Sequence, residues 1–367
     1  MPFSSRDNTP SSPASISELV ELVRAARRLI PIGNATKSRL SKTDAAKIST
    51  RKLAGITEYD PGEYTFTALA GTAVRDIIEA LNQRGQHLPF DPPFAAAGAT
   101  LGGTVAAGLS GPRRFRFGGI RDFILGVRFV DGDGKLLRMG GKVVKNAAGF
   151  DLPKFFVGSL GRFGVIVELT FKVFPQPRDW LTLELDAGSI EEAVSILIKA
   201  ANNRWEPYAL DFSPEANHVL LQLAGPIDAI QEIAREILAV WPGAKMPLAD
   251  ADATWAELRD FRWAHPNGEL IKVPLNPNLL SQFARDFSKL GPEPRWRVSS
   301  GGNVAFVSLP NQDQTAEFGT TLRSLDLSGM TVRGSGPLWL GQRSQPDITL
   351  AVKKALDPSG RFPSLEE

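Results

Sequence analysis

The chain has no cysteine among its 367 residues. Disulfides, thiolate nucleophiles, cysteine-linked cofactors and iron–sulfur clusters ligated by this chain are therefore excluded. Histidine is almost as scarce, because His87, His218 and His265 are the only three copies. Their wide spacing matches no metal-binding pattern, so the sequence predicts no metal site.

Long apolar runs are also missing. No stretch approaches the roughly 18 residues that a membrane-spanning helix needs. The N-terminal sequence MPFSSRDNTPSSPAS lacks the apolar core of a signal peptide. Residues 1–14 are rich in serine and proline, and we expect them to form a disordered tail. We expect a cytoplasmic protein, which would be peripheral to the inner membrane only through its partners.

Neither sign of charge dominates the chain. Its 42 Lys and Arg residues nearly balance 40 Asp and Glu residues, and a net charge of +2 is too small to indicate binding to nucleic acid. Arg113, Arg114 and Arg116 form one local basic cluster, which is either solvated surface or a contact for an anion. The length of the chain allows two domains, each with its own core.

The most informative stretch runs from Gly98 to Glu168 and begins GATLGGTVAAGLSG. Glycine, alanine and threonine dominate its first part, so the backbone N–H groups can approach a ligand closely. Glycine often marks only turns. Here, however, the Gly-rich run is followed by Arg121-Asp122, an apolar strand and the turn DGDG. We interpret this ordered set as a cradle for a cofactor.

A second loop has similar properties. The apolar strand from Leu29 to Ile32 leads into Gly33-Asn34-Ala35-Thr36-Lys37-Ser38. Exposed N–H groups, a hydroxyl and one lysine after a buried strand suit an anion. The Gly-x4-Gly-Lys-Ser/Thr spacing of a Walker loop is absent, so the loop alone is a weak signal.

Helix and turn signals help to place these loops. Ser15-Ile16-Ser17-Glu18 predicts a capping box at the start of a helix, and Thr72 is the expected cap of a second helix that Gly85 ends. DGDG at residues 131–134 resembles the start of a calcium loop, but Lys142 stands where that loop requires glutamate. We interpret it as a hairpin turn.

Pro175-Gln176-Pro177 marks the clearest domain boundary. After it, strands and helices alternate in two βαβ-like units, which predict an antiparallel sheet backed by helices. The expected organisation is a disordered tail (1–14), a first domain (15–178), an α+β cap domain (179–335) and a C-terminal segment that returns to the first domain (336–367).

These motifs resemble the FAD-binding domain of the vanillyl-alcohol oxidase/para-cresol methylhydroxylase (PCMH) superfamily. The resemblance rests on PIGNATK, GATLGGTVAAGLSG, GGIRDFILGVRFVDGDGK and VKNAAGFDLPKFFVGSLGRFGVI. Within the superfamily, LPFDPPF, AAGLSGPRRF, VKNAAGFDL and ALDPSGRF are most similar to the FAD-binding subunits of bacterial glycolate dehydrogenases (glycolate oxidases). The implied fold is α+β: a two-subdomain PCMH-type FAD-binding domain and a smaller, ferredoxin-like α+β cap.

The resemblance also implies which residues contact the FAD. The first loop would hold the pyrophosphate, the second loop would approach the pyrophosphate and ribityl chain, and the remaining segments would lie beside the flavin or the adenine. The implied cofactor-binding residues are Ile32, Gly33, Asn34, Ala35, Thr36, Lys37, Ser38, Gly98, Ala99, Thr100, Gly102, Gly103, Arg121, Asp122, Lys145, Asn146, Gly164, Val165 and Ile166.

The sequence departs from the family in its first loop, where Gly-Asn-Ala replaces consecutive glycines. That loop has no histidine and the chain has no cysteine, so the FAD is expected to be non-covalent. A carboxylate substrate needs a cation, for which Arg113, Arg114, Lys145 and Lys272 are candidates. No catalytic base is identifiable, and no histidine-rich metal motif is present.

The resemblance leaves three functions open. In the first, the chain is an FAD-dependent subunit that oxidises glycolate or another 2-hydroxy acid, and a hydride passes from the alpha carbon to flavin N5. Alternatively, it is a non-catalytic FAD relay beside a larger catalytic flavoprotein, or a stand-alone hydroxy-acid or alditol dehydrogenase. Because the chain cannot ligate a cluster, the complex would need a cysteine-rich iron–sulfur subunit as well as the larger homologous FAD-linked subunit.

Overall fold

A computed structural model describes residues 9–141, 151–245, 248–343 and 347–367. The chain forms two compact units. The first comprises the ranges Met1–Leu109, Gly119–Pro175 and Ser344–Glu367, and the second comprises Ser110–Gly118 and Gln176–Arg343. Both units combine helices with an antiparallel main sheet, so the fold class is α+β as expected. The predicted domain limits stay a prediction, and the segment 110–118, which lies within the predicted first domain, groups with the second unit.

The first unit contains nine strands and five helices within its described residues. Its strands are β1 (Leu29–Ile32), β2 (Ala46–Ser49), β3 (Ile56–Asp60), β4 (Thr65–Leu69), β5 (Gln86–His87), β6 (Ile124–Val130), β7 (Leu136–Gly140), β8 (Val165–Lys172) and β9 (Phe174–Pro175). Its helices are α1 (Ile16–Ala25), α2 (Val74–Asn82), α3 (Leu101–Ala107), α5 (Leu152–Phe155) and α11 (Asp347–Leu356).

Helix α1 begins as its capping box predicts. The Ser15 hydroxyl accepts a hydrogen bond from the Glu18 N–H at 3.1 Å, and a Glu18 carboxylate oxygen accepts one from the Ala14 N–H at 2.7 Å. Leu19 and Val23 are fully buried on the inner face of α1. There they join the core cluster that contains residues of β1, β2 and β8. The helix therefore covers the parallel pair β1–β2.

The expected cap of α2 is wrong. The N-cap residue is Ala73, and no side chain caps the helix. The Thr72 hydroxyl instead accepts from the Gly55 N–H at 2.9 Å and bonds the Leu69 carbonyl at 2.7 Å. These tertiary hydrogen bonds to neighbouring loops use the hydroxyl that the sequence assigned to the helix.

The main sheet of this unit has the strand order β3-β4-β8-β6-β7, with antiparallel neighbours. DGDG connects β6 to β7 as a hairpin, which confirms the predicted turn. The Asp131 carboxylate accepts from the N–H groups of Asp133 (2.9 Å) and Lys135 (2.8 Å), so this side chain closes the turn.

The Gly-rich run forms the short helix α3. The Thr100 hydroxyl caps it by accepting from the Gly103 N–H at 3.2 Å, and Gly108 ends it in the left-handed conformation. A Cβ on Gly102 would lie 2.7 Å from the Ala70 Cβ, so glycine lets α3 pack directly against the loop after β4. This packing fixes one side of the site described below.

The second unit contains eight strands and six helices within its described residues. Its strands are β10 (Asp179–Asp186), β11 (Ala209–Ser213), β12 (His218–Gly225), β13 (Glu269–Pro274), β14 (Arg295–Ser299), β15 (Val304–Leu309), β16 (Ser328–Arg333) and β17 (Trp339–Gly341). Its helices are α4 (Arg114–Phe117), α6 (Ile190–Ala201), α7 (Ile227–Val240), α8 (Ala251–Arg259), α9 (Leu280–Phe287) and α10 (Thr315–Ser324).

All eight strands form one antiparallel sheet in the order β10-β12-β11-β14-β15-β13-β16-β17. One core cluster joins the apolar face of the sheet to helices α6, α7, α9 and α10. The antiparallel sheet backed by helices is therefore confirmed, with β16 and β17 as additions that the sequence did not indicate. No helix within the described residues is long and apolar enough to cross a membrane.

Candidate functional site

The first unit contains an open cleft. Three segments line it: the loop after β1 with its flanking residues, helix α3 with its cap, and the turn before β8. The lining residues are Pro31, Ile32, Gly33, Asn34, Ala35, Thr36, Lys37, Leu40, Ser41, Thr50, Thr100, Gly102, Gly103, Ala106, Ala107, Leu160, Gly161, Gly164 and Ile166.

The loop after β1 supplies backbone donors. Among the described residues, none accepts a hydrogen bond from the N–H groups of Gly33–Lys37. Ala35 has a φ of +51°, the left-handed conformation in which successive N–H groups can form an anion-binding concavity. The loop therefore offers up to five N–H donors, and this matches the anion site that its composition predicts.

Lys37 adds a positive charge to this loop. Its side chain is buried, its Nζ lies 3.1 Å from the Thr36 hydroxyl, and it lies 5.5 Å from the centre of the Phe94 ring. Burial lowers the pKa of Lys37 to about 8. No acidic side chain within the described ranges forms an ion pair with it. A buried ammonium without a carboxylate is unfavourable alone and favourable beside a bound anion.

The loop after β1 and the cap of α3 approach each other closely. A Cβ on Gly33 would lie 2.1 Å from the Thr100 hydroxyl oxygen, so only glycine permits this contact. The Thr100 hydroxyl already accepts the Gly103 N–H. One threonine thus caps α3 and contacts the opposing loop, and it fixes the relative position of two lining segments.

The structure brings eleven of the predicted cofactor residues together on the cleft. They are Ile32, Gly33, Asn34, Ala35, Thr36, Lys37, Thr100, Gly102, Gly103, Gly164 and Ile166. That these residues bind the cofactor stays a prediction.

The remaining predicted cofactor residues lie elsewhere. Ser38 begins the turn after the loop, Gly98 lies against the Asn34 side chain, and the buried Ala99 carbonyl accepts from the Val74 N–H. Val165 belongs to the core cluster of the first unit. Arg121 and Asp122 form an exposed turn, in which the Asp122 carboxylate accepts from the Gly119 N–H at 2.8 Å. Lys145 and Asn146 lie outside the described residues.

Seven lining residues were not predicted. They are Leu40, Ser41, Thr50, Ala106, Ala107, Leu160 and Gly161, and Pro31 within β1 is an eighth. Gly161 belongs to the three-residue glycine spacing at 158, 161 and 164, which was a usable signal. Thr50 follows β2 and bonds the Ile32 carbonyl through its N–H at 2.9 Å, and no local pattern announces such a contact.

Three of the four substrate candidates, Arg113, Arg114 and Lys272, lie in the second unit, and Lys145 lies outside the described residues. Arg113 donates to the Gln222 side chain at 3.1 Å and lies 4.1 Å from the Trp180 ring centre, so it is already engaged. Burial, and then the charge of Arg114, lower the pKa of Lys272 to about 8. Lys272 and Arg114 are thus close enough to interact.

Lys272 belongs to a row of side chains on the face of the sheet opposite the helices. It pairs with Phe306, which pairs with Arg297 on the next strand. Arg297 forms an ion pair with Glu215 and lies 5.3 Å from the Trp263 ring centre. Arg297 is not among the predicted site residues. Within the described ranges, no group of three or more His, Asp or Glu residues is arranged to hold a metal ion.

Comparisons with known proteins point to one cofactor. The "FAD binding domain" family matches residues 9–140. The glycolate oxidase subunit GlcE of Escherichia coli is 33% identical over 318 residues, covering 86% of this chain and 80% of GlcE. A D-lactate dehydrogenase of Archaeoglobus fulgidus is 32% identical over 165 residues, and the glycolate oxidase subunit GlcD of Bacillus subtilis is 30% identical over 167 residues.

The extent of these matches differs. The chain spans only 36% of the D-lactate dehydrogenase and 35% of GlcD, and those matches cover 45% and 46% of the chain itself. Two solved structures of alkyldihydroxyacetonephosphate synthase superpose with TM-scores of 0.68 and 0.69, at 17% and 16% identity. They cover 95% of this chain and 74% and 75% of the synthase, and at that identity they show the fold alone.

Proposed function

The chain belongs to the family of FAD-binding oxidoreductase subunits that includes GlcE of Escherichia coli, and from this we propose that it is the FAD-binding subunit of a complex that oxidises glycolate or a similar 2-hydroxy acid. FAD is the cofactor of this family. When bound, FAD would supply the hydride-accepting redox chemistry that the oxidation of a 2-hydroxy acid requires.

The observation that carries the proposal is the buried Lys37 beside five N–H groups without partners. The FAD pyrophosphate carries the negative charge and the acceptor oxygens that this loop lacks. The donor set of the cleft therefore fits the cofactor of the family. We assign Gly33–Lys37 to the pyrophosphate and the capped turn of α3, at Thr100–Gly103, to the opposite side of the same group.

The second unit supplies cations for the substrate carboxylate. We propose Lys272 and Arg114 for this role because the two cations lie close enough to interact, and their combined positive charge would attract a carboxylate. Arg113 is the weaker candidate, because Gln222 and Trp180 already hold its guanidinium group. No catalytic base is assigned among the residues of this chain.

The complex requires other chains. Without cysteine this chain cannot ligate an iron–sulfur cluster, so electrons would pass to a separate cysteine-rich subunit. A larger homologous FAD-linked subunit is the second expected partner. The name of GlcE describes a subunit, which supports membership of a complex.

A non-catalytic role is the second candidate. The match to GlcE extends over 86% of the chain, whereas the matches to GlcD and to the D-lactate dehydrogenase cover less than half of it. Among these three relatives, only GlcE matches the chain beyond these shorter stretches. This favours a chain whose FAD serves as a relay or a structural group beside a larger catalytic flavoprotein.

An absorption spectrum of the isolated chain tests the proposal, followed by acid precipitation. We expect a flavin spectrum and a yellow supernatant, since a loop without cysteine or histidine offers no covalent attachment. Anaerobic glycolate should then bleach the flavin bands if this chain is catalytic, and it should leave them unchanged if the chain is a relay. A colourless protein that also fails to take up added FAD would contradict both candidates.

A further inference from the structure

Arg162 lies in the turn before β8 and is fully buried. Its guanidinium group donates to the carbonyl of Leu40 at 2.6 Å and to the carbonyl of Leu160. Leu40 and Leu160 both line the cleft, the first from the segment after β1 and the second from the turn before β8. One side chain that does not itself line the cleft therefore connects two of its three lining segments.

This arrangement is unfavourable for the stability of the protein alone. The Nε and the second terminal nitrogen of Arg162 are buried without a hydrogen-bond partner, and buried donors without a partner are destabilising. Burial, and then the charge of Arg39, lower the pKa of Arg162 to about 10. An apolar side chain of similar size would avoid these penalties, so the two carbonyl contacts are the feature that distinguishes arginine here.

The C-terminal segment holds the backbone of Arg162. The Lys353 ammonium on α11 donates to the Arg162 carbonyl at 2.6 Å, to the Asp357 carboxylate at 2.6 Å and to the Phe362 carbonyl at 3.1 Å. All three ammonium protons are thus used. The buried Asp357 also accepts the N–H groups of Arg361 (2.8 Å) and Phe362 (3.0 Å). A continuous set of hydrogen bonds runs from α11 through Arg162 to the cleft.

We propose that Arg162 is a positioning residue that sets the spacing of the cleft, and that it couples FAD binding to the docking of the C-terminal segment 347–367. The proposal rests on the assignment of FAD to this cleft. Arg162 acts through the carbonyls of Leu40 and Leu160. By linkage, any state that favours the docked segment favours FAD, and bound FAD favours docking to the same degree.

Substitution of Arg162 separates this role from a purely structural one. In Arg162→Met we expect FAD to bind the apoprotein at least tenfold more weakly, measured by quenching of flavin fluorescence. Arg162→Lys should give a smaller loss, because both hydrogen bonds come from one terminal nitrogen of Arg162 and an ammonium can also donate to two carbonyls. The control is Arg128→Met, which removes the ion pair with Glu168 (3.3 Å) on the sheet and leaves the cleft untouched. Its FAD affinity should equal that of the wild type.

Thermal unfolding of the apoproteins completes the comparison. A positioning role predicts an Arg162→Met apoprotein whose unfolding temperature stays close to that of the wild type, because the variant loses two carbonyl hydrogen bonds but also removes two buried nitrogens without partners. A merely structural role predicts a lower unfolding temperature with an unchanged affinity for FAD measured below that temperature. The second result would overturn the proposal.

Hydrogen exchange tests the coupling directly. FAD should slow amide exchange in α11 of the wild type and have no such effect in Arg162→Met; equal exchange with and without FAD in the wild type would overturn the coupling. The variant Lys37→Met distinguishes failure of this inference from failure of the FAD site. If Lys37→Met binds FAD as the wild type does, the site assignment is wrong; if only Arg162→Met keeps normal affinity, the positioning role is wrong.

Discussion

Replacing Lys37 by methionine should change apoprotein stability and FAD affinity in opposite directions. In the apoprotein, burial lowers the pKa of Lys37 from 10.5 to about 8. A lowering of this size corresponds to a penalty of about 3 kcal/mol for the charged form. Methionine removes this penalty and loses the contact with the Phe94 ring, worth about 1 kcal/mol. The net gain of about 2 kcal/mol should raise the unfolding temperature of the apoprotein by about 4–8 °C.

FAD binding should weaken in the same variant. A hydrogen bond between a charged donor and a phosphate contributes about 1.5–3 kcal/mol, which corresponds to a loss of affinity of about 10- to 150-fold. Flavin fluorescence titration of the apoprotein measures this loss. The exposed Lys52 provides the matched control, since Lys52→Met removes a charge from the same unit without touching the cleft. Lys52→Met should change neither quantity.

The pH dependence of the wild type follows from the same shift. Because the folded pKa of Lys37 is depressed, the unfolded chain binds more protons between about pH 8 and 10.5, and apoprotein stability from this group rises with pH there. Bound pyrophosphate favours the ammonium, so FAD affinity should fall by up to tenfold per pH unit above about pH 8. Lys37→Met should abolish both slopes. A destabilised Lys37→Met apoprotein with wild-type FAD affinity would refute the reasoning.

Three further substitutions test the loop and the second unit. Ala35→Gly should raise apoprotein stability by up to about 1 kcal/mol in thermal unfolding, because glycine tolerates the φ of +51°; a loss of stability would contradict the left-handed conformation. Arg113→Ala should leave the flavin-to-protein absorbance ratio unchanged, since Gln222 and Trp180 hold this residue; a colourless variant would place Arg113 in the cofactor site. Lys272→Met should raise the KM for glycolate and leave FAD content unchanged. An unchanged KM would show that Lys272 does not bind the substrate carboxylate.

Local rules predicted the elements that depend on neighbouring residues. The capping box at Ser15 needs only Glu18, and the DGDG turn needs only the Asp131 carboxylate and the N–H groups that follow it. The prediction that Thr72 caps α2 was wrong because its hydroxyl bonds Gly55, which is distant in sequence. A hydroxyl before an apolar helical pattern predicts a cap unless a tertiary acceptor or donor competes, and a single sequence does not show that competitor.

In the candidate site, too, the sequence indicates the features that depend on neighbouring residues and does not indicate those that depend on distant contacts. Gly33–Lys37 is a continuous loop after a buried strand, so its donors are visible in the sequence. Leu40, Thr50 and Leu160 line the cleft only because three segments meet there. The proposed role of Arg162 is even harder to predict from the sequence. It depends on two backbone carbonyls and on Lys353, which lies 191 positions further along the chain. No composition or periodicity signals a backbone acceptor.

The glycines of the cleft have a structural role that the sequence did not indicate. The sequence suggested that low side-chain bulk lets backbone donors approach a ligand. At Gly33 and Gly102, however, the space that a Cβ would fill holds Thr100 and Ala70, which are protein atoms. These two glycines let segments of the chain approach one another, and the donors around Lys37 gain their fixed positions from that packing. The preorganised cleft therefore depends on contacts between the lining segments as much as on the residues that would face the cofactor.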